Sequence, residues 1–169
     1  MLRIDLAAVR EGPVETAAEL APDDPLVAGT GVSLAAPLVV SGRLSTAGEG
    51  KYYWQARLGT VVQAVCRRCL APVRVPIAQA LGVVFLDEDE ARGGRDDDCY
   101  VVPRRAAALD LSEAVREELI LAVPQFVECR DDCRGLCPRC GADLNLGPCT
   151  CPPEVDPRWA ALTKLRKGE

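Results

Sequence analysis

The sequence contains no histidine in 169 residues. That absence excludes a Ser-His-Asp triad, a Cys-His dyad and any zinc enzyme whose metal is held by imidazoles. Aromatic residues are also scarce, with two Phe, two Trp and three Tyr. The longest apolar runs, such as residues 34–40, fall far short of the ~20 residues a membrane-spanning helix needs. The opening MLRIDLAAVREG carries Asp5 and Glu11 and no long apolar core, so it does not read as a signal peptide. A cytoplasmic protein with no membrane partner is the expectation. With 49% hydrophobic residues and a mean hydropathy near zero, the chain is set to bury a genuine core.

Acidic residues are missing from one long stretch. Residues 50–86 hold Lys51, Arg57, Arg67, Arg68 and Arg74 and not one Asp or Glu, although the whole chain carries a net charge of −5. The balancing acids lie before residue 50, within 87–98 (DEDEARGGRDDD) and within 109–122. Bulk charge therefore argues against a nonspecific nucleic-acid coat, while the acid-free stretch offers a local basic face. Arg57, Arg67, Arg68 and Arg74 are the candidate RNA contacts. Solvation of the outer face of a sheet is the plainer use for them.

The same stretch reads as β structure. Residues 33–44 and 52–65 both read as strands, the second rich in β-branched and aromatic residues, and TAGEG at 46–50 has hairpin chemistry between them. Residues 73–86 supply either a strand pair or one long bent strand, with Pro76 marking an edge or a bulge. Residues 11–30, rich in Pro, Glu, Asp and Gly, read as an irregular surface segment, and 87–98 as a mobile acidic loop. A helix is expected at about 110–122: Asp110 or Ser112 caps it, Leu111, Val115, Leu119 and Ala122 share a face, and Pro124 ends it. A shorter C-terminal helix is expected behind Asp156 and Pro157, with Trp159, Leu162 and Leu165 on one face. Tyr52, Tyr53 and Trp54 are assigned to core packing in preference to base stacking.

Eight of the nine cysteines fall in close groups. Cys137, Cys140, Cys149 and Cys151 place four sulfurs within 15 residues, a strong signal for one zinc ion. Cys66, Cys69, Cys129 and Cys133 offer a possible second four-thiolate site, tying the β unit to the segment after the helix. In a reducing compartment such clusters read as metal ligands before disulfides. Other arrangements stay open: Cys133 joining Cys137 and Cys140 with Cys129 left over, or an iron–sulfur cluster in place of zinc. A thioredoxin-like role for Cys66 and Cys69 is disfavoured, because the pair lies between strands and not at the start of a helix. Cys99 reads as a lone thiol without a reactive role. A closed four-thiolate site leaves no position for an activated water, so zinc, one or two ions per chain, is expected as a fold staple. Arg67, Arg68, Arg130, Arg134 and Arg139 interleave with the ligands and would offset their charge.

The fold class expected is α+β: an antiparallel β core with one main helix, a short C-terminal helix and a Cys-rich, zinc-stapled C-terminal segment. Residues 1–126 form the mainly antiparallel domain, and 127–169 the zinc-binding segment packed on it. These motifs resemble a known family. Cys66-Arg-Arg-Cys69-Leu70 after a long strand, the Asp110-Leu111 helix start and Leu121-x-x-Pro124 are similar to the bacterial YceD family. So is the tail from Cys129 through Gly135-Leu136-Cys137-Pro138, Cys140-Gly141, Leu144-Asn145 and Cys149-x-Cys151 to Asp156-Pro157-Arg158-Trp159. The resemblance spans about residues 30–166. It implies a non-enzymatic role in ribosome assembly, required for large-subunit (23S) rRNA to accumulate, with that rRNA or a ribosomal protein as partner and no small-molecule substrate.

Two other readings compete. One is a zinc-stabilised protein-interaction module with a non-ribosomal partner, or one docking a basic ribosomal protein through the 87–98 loop and the acidic helix, where Asp96 to Asp98 would matter. The other is a magnesium-dependent hydrolase built on Asp87, Glu88, Asp89 and Glu90. Contiguous carboxylates in a loop rarely build a defined two-metal site, so a solvated loop is expected there.

Overall fold

A computed structural model of the chain describes residues 2–93, 99–152 and 158. Its centre is a mixed sheet in the order β2 (Val14–Leu20), β4 (Leu38–Gly48), β5 (Lys51–Val65), β6 (Pro72–Asp87) and β7 (Cys99–Val102), with β3 (Ser33–Leu34) pairing beside β4 on β5. Every pair is antiparallel except β6–β7, which is parallel. A second, two-stranded sheet joins β1 (Arg3–Asp5) to β8 (Ala108–Asp110). Three helices complete the described structure: α1 (Leu6–Glu11), α2 (Glu88–Gly93) and α3 (Ser112–Ala122). The α+β class and the Cys-rich segment read from the sequence are both present.

The β5–β6 hairpin dominates the sheet. Its pairing runs without a break from Lys51↔Leu86 to Val65↔Pro72, so residues 72–87 are one strand and not two. Pro76 sits opposite Val61 with no bulge. It is tolerated because, among the described residues, no strand pairs with the outer edge of β6 before Val84. Alternation of side chains sends Tyr52, Trp54, Ala56 and Leu58 into the core and their neighbours outward. Trp54 is fully buried, and its indole N–H donates to the buried Thr16 hydroxyl at 2.9 Å. Tyr53 faces the other way and is 38% exposed, unlike the core role expected for it.

Helix α3 closes the inner face with Ala114, Val115 and Leu119, all fully buried. Asp110 and Ser112 were the expected caps, but Leu111 holds that position. Ser112 is already the first helical residue, and the Asp110 carboxylate accepts its N–H at 2.9 Å from one residue further out. Ala122 ends the helix half-buried, before Pro124.

Two stretches differ from expectation. Residues 14–20 form strand β2 in a segment read as irregular. Only Thr16 of its side chains is buried, so this edge strand is too polar to announce itself, and it is organised by its seven-residue register with β4. The acidic 87–98 stretch is not all loop. Asp87 ends β6 and its carboxylate accepts the N–H groups of Asp89 and Glu90, starting α2. Residues 94–98, including Asp96 to Asp98, lie outside the described residues. So do Asp156, Pro157, Trp159, Leu162 and Leu165, and with them the expected C-terminal helix.

Candidate metal centres

The loop that closes the β5–β6 hairpin is Cys66-Arg-Arg-Cys69-Leu70-Ala71. It is tightened by Cys66 N–H donating to Ala71 O (2.8 Å) and Leu70 N–H donating to Cys66 O (2.9 Å), with the Arg68 N–H aimed at Cys66 Sγ (3.4 Å). Leu70 carries the turn at φ +60°, a left-handed conformation rare for a branched side chain. The chain after α3 returns to this tip, where Arg67 N–H donates to Val127 O at 2.8 Å. Cys129 Sγ then lies 3.6 Å from Cys69 Sγ, and Cys133 Sγ 3.8 Å from Cys66 Sγ.

The second group repeats the turn. Gly141 N–H donates to Cys137 O (2.9 Å) and Cys137 N–H to Ala142 O (2.8 Å), with Gly141 at φ +72° in the place that Leu70 occupies in the first. Cys149 and Cys151 complete it. In both groups all four sulfurs lie within 4.8 Å of one another. A tetrahedral ion with sulfur at ~2.3 Å requires sulfurs about 3.8 Å apart, whereas a disulfide would bring them to about 2.05 Å. Each cluster can hold one metal ion. A multi-iron cluster, with iron and sulfide between its thiolates, needs a wider cage. The pairing is the one read from spacing, and Cys133 belongs with Cys66, Cys69 and Cys129, not with Cys137 and Cys140. Cys99 lies in neither group, at the start of β7 opposite Val84.

The two centres share a wall. Leu136 N–H donates to Arg68 O at 3.0 Å, and Gly135 stands where a Cβ would approach that carbonyl to 2.9 Å. Asn145, on the loop between the second centre's ligand pairs, turns its side-chain amide to Cys133 Sγ of the first at 3.6 Å. Its Oδ1 accepts from Arg134 N–H (2.8 Å) and from the Arg130 guanidinium (2.9 Å). The contact of Asn145 crosses 12 residues to another site, so the Leu144-Asn145 motif carries no local signal of it.

Burial pushes the Cys66 thiol up, but the backbone amides of Cys69, Arg68 and Cys129 outweigh it and hold the thiol at about 6. The amides of Cys140 and Arg139 hold Cys137 at about 6. Cys129 is pushed up to about 12, first by Cys133, and Cys151 to about 12, first by Cys140. Four sulfurs this close cannot all ionise without a cation among them. With one, the shell is closed to water, and soft thiolates favour zinc, copper(I) or iron.

The four candidate RNA-contact arginines do not form one patch. Arg67 and Arg68 both engage Glu128, by Arg67 Nε donating to Oε1 (2.8 Å) and Arg68 Nε to Oε2 (3.2 Å). Arg68 also donates to Cys133 O (3.0 Å), and the Arg67 guanidinium lies 5.3 Å over the Phe126 ring. Arg67 first, with Arg68, holds the Glu128 carboxyl below its ordinary range. Arg57 and Arg74 are exposed on the sheet, Arg57 opposite Ala80 and Arg74 opposite Gln63. Of the acidic quartet, Glu90 pairs with Lys51 (2.9 Å) and Asp89 with Arg104 (2.7 Å). Among the described residues only the two cysteine groups have a metal-binding arrangement.

A family model described as large ribosomal RNA subunit accumulation protein YceD matches residues 54–166, a stretch that contains both centres. An uncharacterized protein of Mycobacterium tuberculosis is 35% identical over 100 residues, covering 59% of this chain and 48% of the relative. One from Mycobacterium leprae is 29% identical over 100 residues, covering 59% and 46%. A maize protein named large ribosomal RNA subunit accumulation protein YCED homolog 1, chloroplastic, is 28% identical over 153 positions, covering 73% and 52%. The chain spans about half the length of these curated relatives. No solved structure matches it.

Proposed function

The chain belongs to the YceD family, and from that membership we propose that it is a non-catalytic, cytoplasmic ribosome-assembly factor that supports accumulation of large-subunit (23S) rRNA through contacts to that rRNA or to a ribosomal protein. The observation that carries this reading is the family match over residues 54–166, which takes in the hairpin and both four-cysteine groups. The chemistry of the groups supports the non-catalytic part. A four-thiolate ion has no open position, and the arginines beside it are engaged with Glu128 and a backbone carbonyl. We assign zinc to both centres, two ions per chain, acting as staples that hold the tail against the hairpin tip.

The test is depletion of the protein in its own organism, followed by the molar ratio of large- to small-subunit rRNA. The expected result is a fall in the large-subunit species while its precursor is made at the normal rate. An unchanged ratio overturns the reading and leaves a zinc-stabilised module with a non-ribosomal partner. Elemental analysis of the purified protein tests the metal separately, with two zinc ions per chain expected.

A further inference from the structure

The outward faces of β5 and β6 present Lys51, Tyr53, Gln55, Arg57, Gln63 and Arg74 and no carboxylate between Gly50 and Leu86, in a chain with a net charge of −5. This hairpin is ~50 Å long at ~3.4 Å per residue. The core and α3 lie on its other side. Beside it, β4 adds Ser41 and Arg43. Register places Arg43 opposite Gln55 and Arg57 opposite Ser41, so the two arginines are diagonal neighbours. Between them is an open depression of about 840 Å³, walled by Arg43, Arg57, Gln55 and Tyr53. The Tyr53 phenol lies over Gly82 at its margin. Glu15 of the edge strand β2 also lines the depression, 3.8 Å from Arg43; Glu19 lies further along β2, and Glu90 pairs with Lys51 at the far end of the face.

We propose that this depression on the outer sheet face binds single-stranded RNA, with Arg43 and Arg57 on its phosphates and Tyr53 stacked on a base. The inference deepens the assembly reading, and rests on it for the choice of RNA over another polyanion. The side chains are those that recognise RNA: guanidinium groups for phosphate, an amide and a hydroxyl for base and ribose edges, and one partly exposed aromatic ring. A protein partner needs large apolar anchors, and Tyr53 is the one large exposed apolar side chain in the depression, beside the small Ala17 and Ala80. Duplex RNA keeps its bases stacked inside and cannot offer one to Tyr53. Arg43 lies outside the acid-free stretch that holds Arg57 and joins the face only through β4–β5 pairing.

The test is binding of a labelled single-stranded oligoribonucleotide to the metal-loaded full chain across a salt series. The Arg43→Ala/Arg57→Ala double variant should lower the log–log salt slope by about 1.4, from two phosphate contacts on a single strand. Tyr53→Ala should weaken binding roughly tenfold, and Tyr53→Phe should restore it. Glu15→Gln, which removes the acid beside Arg43, should tighten binding. Arg10→Ala, on α1, should change nothing. Circular dichroism and zinc content confirm that each variant is folded. A double variant that binds like the parent, or a parent that prefers duplex, overturns the proposal. So does polyglutamate competing at lower concentration than RNA, which would give the face to an acidic protein. A normal rRNA ratio on depletion combined with arginine-dependent binding would sink the assembly reading and leave this surface standing.

Discussion

The side-chain amide of Asn145 donates to the sulfur of Cys133 across 3.6 Å, so a residue carried by the loop of one four-cysteine centre supports a ligand of the other. Arg130 and Arg134 fix the amide's oxygen, and Asp143 accepts both from its backbone N–H (2.9 Å) and from its Nδ2 (2.6 Å). A hydrogen bond to a ligand thiolate draws off negative charge and orients the sulfur.

Replacing Asn145 with Ala should therefore weaken metal at the Cys66, Cys69, Cys129 and Cys133 centre by ~10–100-fold, the usual cost of losing such a support. Chelator competition followed with a zinc indicator measures this directly, and should show one of the two ions lost early. Cys149→Ser, which opens the second centre, should loosen the first as well, because its loop no longer holds Asn145 in place. Two ions that leave independently in both variants would contradict the coupling.

Metal removal should release the tail before it disturbs the sheet. Both centres lie at the hairpin tip, with Cys66, Cys133 and Cys137 outside the main core cluster around Trp54, Leu44 and Val115. After chelation, amide exchange should accelerate across residues 127–152 and 66–71, while protection at the centres of β4 and β5 persists. Global loss of protection would instead make the metals part of the folding nucleus of the whole chain.

The two matching turns allow a swap experiment. Leu70 is 62% exposed at φ +60°, and its counterpart Gly141 sits at φ +72°. Leu70→Gly should stabilise the protein by about 1 kcal/mol, because little burial is lost and the left-handed strain goes. Gly141→Leu should cost about 1–2 kcal/mol by the same strain. Urea unfolding of the metal-loaded protein reads both. A destabilised Leu70→Gly would mean that the leucine side chain makes a contact worth more than the strain.

Thr16→Val should cost about 1–3 kcal/mol, since the buried Trp54 N–H loses its acceptor without gaining water. The denaturation midpoint should fall with an unchanged m-value. A neutral result would show that the indole finds another acceptor.

The parts legible in the sequence are those encoded locally. Strand β5 announced itself through β-branched and aromatic residues, β4 through its apolar run ahead of a hairpin turn, and α3 through the spacing of Val115 and Leu119. The set Cys137, Cys140, Cys149 and Cys151 followed from short gaps between sulfurs, whereas Cys66 and Cys69 meet Cys129 and Cys133 only through the return of the chain after α3. Strand β2 did not announce itself, because VETAAEL buries only Thr16 and becomes a strand through pairing with β4. Nor did the roles of Arg67 and Arg68, whose partner Glu128 lies 60 residues or more away along the chain.

By itself, then, the sequence determined the cysteine groups able to hold a metal, the β-rich core with its main helix, and the exclusion of histidine-based catalysis. Residue type and short spacing dictate these without help from distant chain. Only the tertiary structure decided that the two centres meet at the hairpin tip through Asn145 and Cys133, that Arg67 and Arg68 brace that tip, and that Arg43 joins Arg57 on one face. Those outcomes rest on strand register and on the return of the chain after α3. Contacts between residues so far apart in sequence are set by the packing of the whole molecule, and no local pattern records them.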